Sequence, residues 1–223
     1  MPIPLVQSIQ IGMPRQLGTP GSEDPNQQPW FSGFMKTAVS GPVEVTLTGI
    51  KGDGQADMKN HGGPDKAILC YSSDHFAFWS KELSRDDVSG GMFGENLTIN
   101  GLSEDVVCIG DTFAIDDIVV QITQPRQPCW KLGRRWNEPT LPKMVVKNGF
   151  SGWYLRVLTP GIIEAGQGVE RIEHVNPDWT VRRAHETMYR KDSSAAALQE
   201  LANLPELSEA WRSDLRRKLS SVT

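Results

Sequence analysis

The sequence predicts a mostly β, barrel-like body with a few helices over residues 1–173, followed by a small three-helix extension over 174–223. Two observations carry that expectation. Up to about residue 170, short runs of β-branched and alternating residues follow one another without helical stretches of about 10–15 residues between them, which argues against a doubly wound sheet. Beyond His174 the period changes, and Leu207, Trp211, Leu215 and Leu219 recur every four residues.

The elements follow in order. Residues 5–11 read as an early strand, and 12–33, rich in Gly, Pro, Gln and Asn, as a loop anchored by Trp30, Phe31 and Phe34. Residues 43–50 alternate apolar and polar and form the clearest half-buried strand. A short core strand at 67–71 leads to a helix over 74–83, capped by Ser72 or Ser73, with Phe76, Trp79 and Leu83 on one face and His75 at the surface or helix end. Glycines at 90, 91 and 94 precede a strand at 97–99. Strands at 106–111 and 112–115 meet at a tight Gly110-Asp111 bend, with Cys108 in the core. The β-branched run 118–123 is a further strand; a short helix at 141–148, a strand at 149–158 and a hairpin at 161–169 complete the body. In the extension, Val181, Ala184 and Met188 fit one helix, residues 194–202 a second, and Pro205 separates a third. His174 and His185 read as structural.

Composition narrows the function. A length of 223 residues buries a sizeable core without help from a metal or disulfide. The formal charge of −4 offers no general attraction to nucleic acid or acidic lipid, and the basic residues of the extension are balanced by nearby acids. Cys70, Cys108 and Cys129 are odd in number and widely spaced, which fits a reduced, cytoplasmic chain better than a disulfide framework or zinc knuckle. No apolar run reaches about 18 residues and the first residues are unlike a signal peptide, so neither a membrane span nor export is expected. Oligomeric state has no signature here.

Two stretches carry chemistry. After the strand at 118–123, Gln124-Pro125-Arg126-Gln127-Pro128-Cys129-Trp130-Lys131-Leu132 ends regular pairing and holds Cys129 in a turn, where Arg126 and Lys131 favour its thiolate. The alternative for Cys129 is an inert, half-buried small hydrophobe. Residues 51–67 carry glycines at 52, 54, 62 and 63 that allow backbone N–H groups close to a ligand, and with Lys59, His61 and Lys66 suit an anionic head group. The spacing is neither a Rossmann fingerprint nor a P-loop, and an ordinary Gly-rich connection is the alternative. Asp53 either contacts ligand or accepts backbone bonds in an Asx turn, and Glu95 and Asn96 either face a site or satisfy their turn. Arg156 reaches a pocket mouth or snorkels to solvent. No Gly-x-Ser-x-Gly elbow or His-Glu-x-x-His helix is present, and a Cys129 nucleophile has only His61 as a plausible base. A soft metal held in an organic cofactor, by contrast, needs only one protein thiolate.

The segments Gly52-Asp53-Gly54-Gln55, Lys59-Asn60-His61-Gly62-Gly63-Pro64-Asp65-Lys66-Ala67, Phe93-Gly94-Glu95-Asn96-Leu97, Val107-Cys108-Ile109-Gly110-Asp111-Thr112-Phe113, residues 124–132 and Gly152-Trp153-Tyr154-Leu155-Arg156-Val157 lie in an order that resembles the MOSC family. These domains are related to the carboxy-terminal part of molybdenum cofactor sulfurase, and the likeness is to the YiiM-like subgroup, whose three-helix extension the segment after about residue 175 resembles. The resemblance implies a barrel-like body that binds the molybdenum cofactor, a molybdopterin whose sulfurs hold the metal. It makes Cys129 the metal ligand and catalytic residue, and His61 through Pro64 part of the pterin-phosphate pocket. Lys59, Asn96, Arg126 and Arg156 become further candidates for cofactor contact. It also implies reductive N–O cleavage of small N-hydroxylated compounds such as hydroxylaminopurines, releasing water. No flavin or nicotinamide fingerprint is present, so a separate reductase supplies electrons. Two rivals stand beside this: a sulfur carrier using a Cys129 persulfide, and a non-catalytic cofactor-binding module. Pyridoxal phosphate, also associated with such domains, finds no distinctive lysine context here.

Overall fold

The β-branched run after Asp117 forms the longest strand, and the main sheet is assembled outward from it. The computed structural model describes residues 3–221, apart from the side chains of Lys59 and Asn60. The first part of the chain carries β1 (Leu5–Ile11), β2 (Arg15–Leu17), β3 (Trp30–Ser32), β4 (Thr37–Ala38), β5 (Val43–Thr46), β6 (Gly49–Ile50) and α1 (Met58–His61). Next come β7 (Ile68–Ser72), α2 (Phe76–Leu83), β8 (Leu97–Asn100), β9 (Thr112–Ile115) and β10 (Ile118–Pro125). Then follow α3 (Trp130–Trp136), α4 (Leu141–Asn148), β11 (Trp153–Thr159), β12 (Gly161–Ile163) and β13 (Glu170–Glu173). The extension is α5 (Val181–Tyr189), α6 (Ala195–Ala202) and α7 (Glu209–Leu219). No described helix is long and apolar enough to cross a membrane.

Eight strands form a half-barrel sheet in the order β13-β9-β10-β11-β7-β8-β1-β4. Among the described strands of this sheet only β7 and β8 run parallel; the other neighbours are antiparallel. Strand and helix residues are nearly equal in number, which corrects the mostly β expectation. The unexpected helix lies in α1 and in α3, which buries Leu132 and Trp136 directly after the cysteine loop.

Three local expectations are also corrected. The single strand over 43–50 is a β5–β6 hairpin, because Thr46 Oγ1 caps the turn by accepting from Thr48 N and donating to Gly49 O, which tips Leu47 into solvent. That hairpin pairs with β12 in a separate small sheet. Residues 106–111 are a turn rather than a strand, joined to the extension by an isolated Cys108–Thr180 bridge and by neighbouring hydrogen bonds such as Ile109 N to Trp179 O. His75 stands at the helix end, as N-cap of α2, but is buried rather than at the surface: its Nε2 lies 2.6 Å from Glu104 Oε2, and its ring stacks on Phe150 with centroids 3.8 Å apart. Glu104, 29 residues away, gives no local sign of this pairing.

The extension shares its core with the sheet. Val181, Ala184, Leu198, Leu201, Trp211 and Leu215 belong to the same buried cluster as Ile122, Phe113 and Trp153. Ser208 caps α7 by accepting from Trp211 N, and ties it to β10 by donating to Gln124 Oε1 at 2.7 Å. A second cluster, Tyr71, Trp79, Phe93, Leu132 and Trp136, packs α2 and α3 on the other side. One common core implies one cooperative unit. Leu215→Ala is therefore expected to lower global stability by about 2–5 kcal/mol, read as a fall in urea midpoint by both tryptophan fluorescence and far-UV dichroism. Two separate transitions, with the sheet unmoved, are the contrary result.

Candidate functional site

Cys129 sits where β10 ends. Arg126 N still donates to Gly152 O at 3.0 Å, then Pro128 stops pairing and Cys129, extended at φ −122°, precedes α3 with its thiol half-buried. Trp130, 54 % exposed, packs edge-on against Trp30 at 5.5 Å, while Arg134 lies over the Trp130 ring and donates to Gln28 O. The β2–β3 hairpin is thereby fastened beside the cysteine.

The thiol opens on a cleft between the 54–66, 93–96 and 126–131 segments. Its walls include Lys36, His61, Lys66, Arg126, Lys131 and Tyr154. Arg126 is buried; its Nη2 donates to Phe93 O at 3.3 Å, but its Nη1 has no hydrogen-bond partner. His61 Nδ1 is likewise buried without one, the nearest carboxylate oxygen being Asp57 Oδ2 at 3.6 Å. Burial, then the positive charge of Lys131, and further that of Arg126 and Lys66, push the His61 pKa down to about 4 against the opposing pull of Asp57. Burial also lowers Lys66, partly offset by Asp214, Asp65 and Asp57. Burial raises Tyr154 to about 12, so its phenol keeps its proton at neutral pH. A buried polar group left unpaired costs about 1–3 kcal/mol; Arg126 Nη1, a donor without an acceptor, marks a place for an anion.

One wall is fixed by Asp53. Its Oδ1 accepts from Gly12 N and Lys36 Nζ, and its Oδ2 from Asn96 Nδ2 and Gln55 Nε2. Asn96 also accepts from Leu69 N through Oδ1, so its carboxamide is committed to the scaffold although it lines the cleft. Glu95, fully buried, accepts from Gly91 N, Phe93 N and Thr98 Oγ1, and satisfies its own turn. Gly33 and Gly54 meet backbone to backbone: a Cβ on Gly33 lies 2.1 Å from Gly54 O, which only glycine tolerates.

Cys129, His61, Arg126 and Asn96 thus come together. Gly62 and Gly63 flank the cleft behind His61 without lining it; Gly62 packs on Met58, and Gly63 turns the chain at φ 94°. Lys59 falls outside the described side chains. Arg156 is turned to Asp65, donating Nη2 and Nε to Oδ1 at 2.6 and 3.1 Å, so it braces the loop behind Lys66. Sequence reasoning missed Lys36 and Tyr154 as cleft residues, whereas Lys131 was already placed beside Cys129. Lys131 and Tyr154 lie inside quoted segments, whereas Lys36 has no local sign.

A second constellation lies outside the cleft. Cys108, Asp111 and His174 present ligand atoms within 4.8 Å of one another, with His174 Nδ1 2.6 Å from Asp111 Oδ1. Burial, and secondarily the Asp111 carboxylate, push the Cys108 thiol up to about 11.

Comparison with known proteins agrees with this architecture. The MOSC domain family matches residues 57–170, and the YiiM-like, 3-alpha helix domain matches 179–222. The Bacillus subtilis protein YflK, called uncharacterized, is 37 % identical over 213 residues, covering 96 % of this chain and 93 % of its own. A Gibberella moniliformis protein called a reductase is 34 % identical over 177 residues, 78 % of this chain but only 31 % of that longer protein. The crystal structure of YiiM from Geobacillus stearothermophilus superposes with a TM-score of 0.81 at 34 % identity, covering 97 % of this chain and 99 % of that one. Motif order, half-barrel sheet and helical extension converge: the chain belongs to the MOSC family, in the YiiM-like group that carries a three-helix domain.

Proposed function

We propose that this chain binds the molybdenum cofactor in the Cys129 cleft and reduces small N-hydroxylated compounds by cleaving their N–O bond. The observation that carries the binding is the pair of buried, unpartnered atoms, Arg126 Nη1 and His61 Nδ1, beside a half-buried thiol. Arg126 Nη1 would donate to a pterin phosphate, and Cys129 would offer its soft sulfur to the metal. The residues present fit the group. When bound, the cofactor supplies a two-electron redox centre for reducing the N-hydroxyl group to an amine with release of water.

The protein's own contribution is to hold and shield. Cys129 presents sulfur from the rigid end of β10, and Arg126, His61 and Lys131 receive the anionic end. Tyr154 keeps a phenol O–H in the cleft as a hydrogen-bond donor to the substrate. The electrons come from a separate reductase; the relative called a reductase, in which this region is a minor part of a longer chain, supports a redox role for the fold. A cofactor-binding role without turnover rests on the same thiol and cations and requires no substrate, so only turnover separates the two.

The test expresses the protein in hosts with and without molybdopterin synthesis, then measures bound molybdenum and pterin and reduction of a hydroxylamine by reduced viologen. Metal and pterin together with turnover are expected; metal and pterin without turnover select the binding-only role. At matched occupancy Cys129→Ala is expected to cut the rate by about 100-fold or more, and an unchanged rate removes Cys129 from the chemistry. Arg126→Ala is expected to lose about tenfold or more in cofactor retention, read as the pterin content after dialysis.

His61 gives a further check by NMR titration. In cofactor-free protein its imidazole is expected to protonate near pH 4, and near 6.5 once unfolded. The unfolded chain therefore takes up the proton first, and stability is lost as the pH falls from about 6.5 towards the folded pKa. Bound phosphate is expected to raise the folded value; a free-protein titration near 6.5 contradicts the cationic cleft.

A further inference from the structure

The Cys108–Asp111–His174 constellation takes no part in the Cys129 cleft. Its geometry is set by the backbone. Asp111 Oδ2 accepts from Cys108 N at 2.9 Å, which folds the 108–111 turn on itself, and Ile109 N donates to Trp179 O at 2.9 Å. Gly110 N donates to Ile122 O at 2.8 Å, pinning the turn to β10. Two of the three side chains are thus fixed and buried, while His174, 39 % exposed, leaves an approach from solvent.

We propose that Cys108, Asp111 and His174 form a binding site for a divalent transition-metal ion of the zinc class. Sulfur, carboxylate oxygen and imidazole nitrogen are all zinc ligands, and a thiolate with an imidazole disfavours calcium or magnesium. Ligands at about 2.0–2.3 Å from zinc in a tetrahedron stand roughly 3.3–3.8 Å apart. The present atoms lie within 4.8 Å, and the exposed imidazole, whose Nδ1 is now 2.6 Å from Asp111 Oδ1, gives up that contact and reorients to complete the site. Thiolate and carboxylate together balance the charge of a divalent ion. Arg171 Nη1, now 3.2 Å from Asp111 Oδ2 and 41 % exposed, swings into solvent. A water fills the fourth position. Binding releases the Cys108 thiol proton, which now points to Pro177 O at 3.5 Å, so the ion binds more tightly as pH rises. The ion clips the sheet-side turn to the segment that enters α5, and so stabilises the docking of the extension.

Cobalt(II) and zinc(II) titrations of the whole protein test this. One cobalt per chain is expected, with a thiolate-to-cobalt charge-transfer band and tetrahedral d–d bands, displaced by zinc, and zinc is expected to raise the melting temperature. Cys108→Ser, whose hydroxyl keeps the contact to Pro177 O, is expected to fold normally and lose the charge-transfer band. His174→Gln is expected to weaken cobalt binding by about tenfold or more. In Cys129→Ala the band is expected to persist. Absence of the band, its survival in Cys108→Ser, or its loss in Cys129→Ala overturns the proposal. None of these outcomes depends on the molybdenum cofactor, so the site stands or falls separately from the function proposed for the cleft.

Discussion

The cleft depends on the buried carboxylate of Asp53. A carboxylate withdrawn from water persists only if charge and hydrogen bonds replace its hydration. Asp53 meets that demand with Lys36 Nζ, Gly12 N, Asn96 Nδ2 and Gln55 Nε2, which come from four separate stretches of chain. Satisfying one acid therefore fixes an entire wall. It also neutralises Lys36, so the positive character available to a ligand belongs to Arg126 and Lys131.

The three-helix extension contributes to that same arrangement. Helix α7 begins beside Asp65, whose Oδ2 accepts from Glu209 N while its Oδ1 holds Arg156. Further along, Asp214 accepts from Gln127 Nε2 in the cysteine loop at 3.3 Å. Both loops that bear ligand-facing residues are thus braced from the extension. Together with the continuous core, this explains why the helices accompany the sheet: they fix the backs of the two loops whose fronts form the cleft.

Features with a local signature were legible in the sequence. The β-branched run at 118–123, the prolines that end it, the glycines around His61 and the four-residue rhythm of Leu207 to Leu219 each report a backbone preference within a few residues. Features created by pairing across the chain were not. Lys36 is paired with Asp53, His75 with Glu104 and Arg156 with Asp65, across separations of 17, 29 and 91 residues. The balance of strand and helix was misjudged for a related reason. Helix α3 follows directly on a proline-rich turn, and its buried face becomes evident only against Met92, whose carbonyl accepts from Trp136 Nε1.

The proposed function requires the Cys129 sulfur to lie at bonding distance from a metal whose other sulfur ligands come from its own organic scaffold. X-ray absorption at the molybdenum edge of the loaded protein measures this directly. The sulfur shell of wild type is expected to exceed that of Cys129→Ala by one atom. Identical sulfur shells in the two proteins contradict the claim.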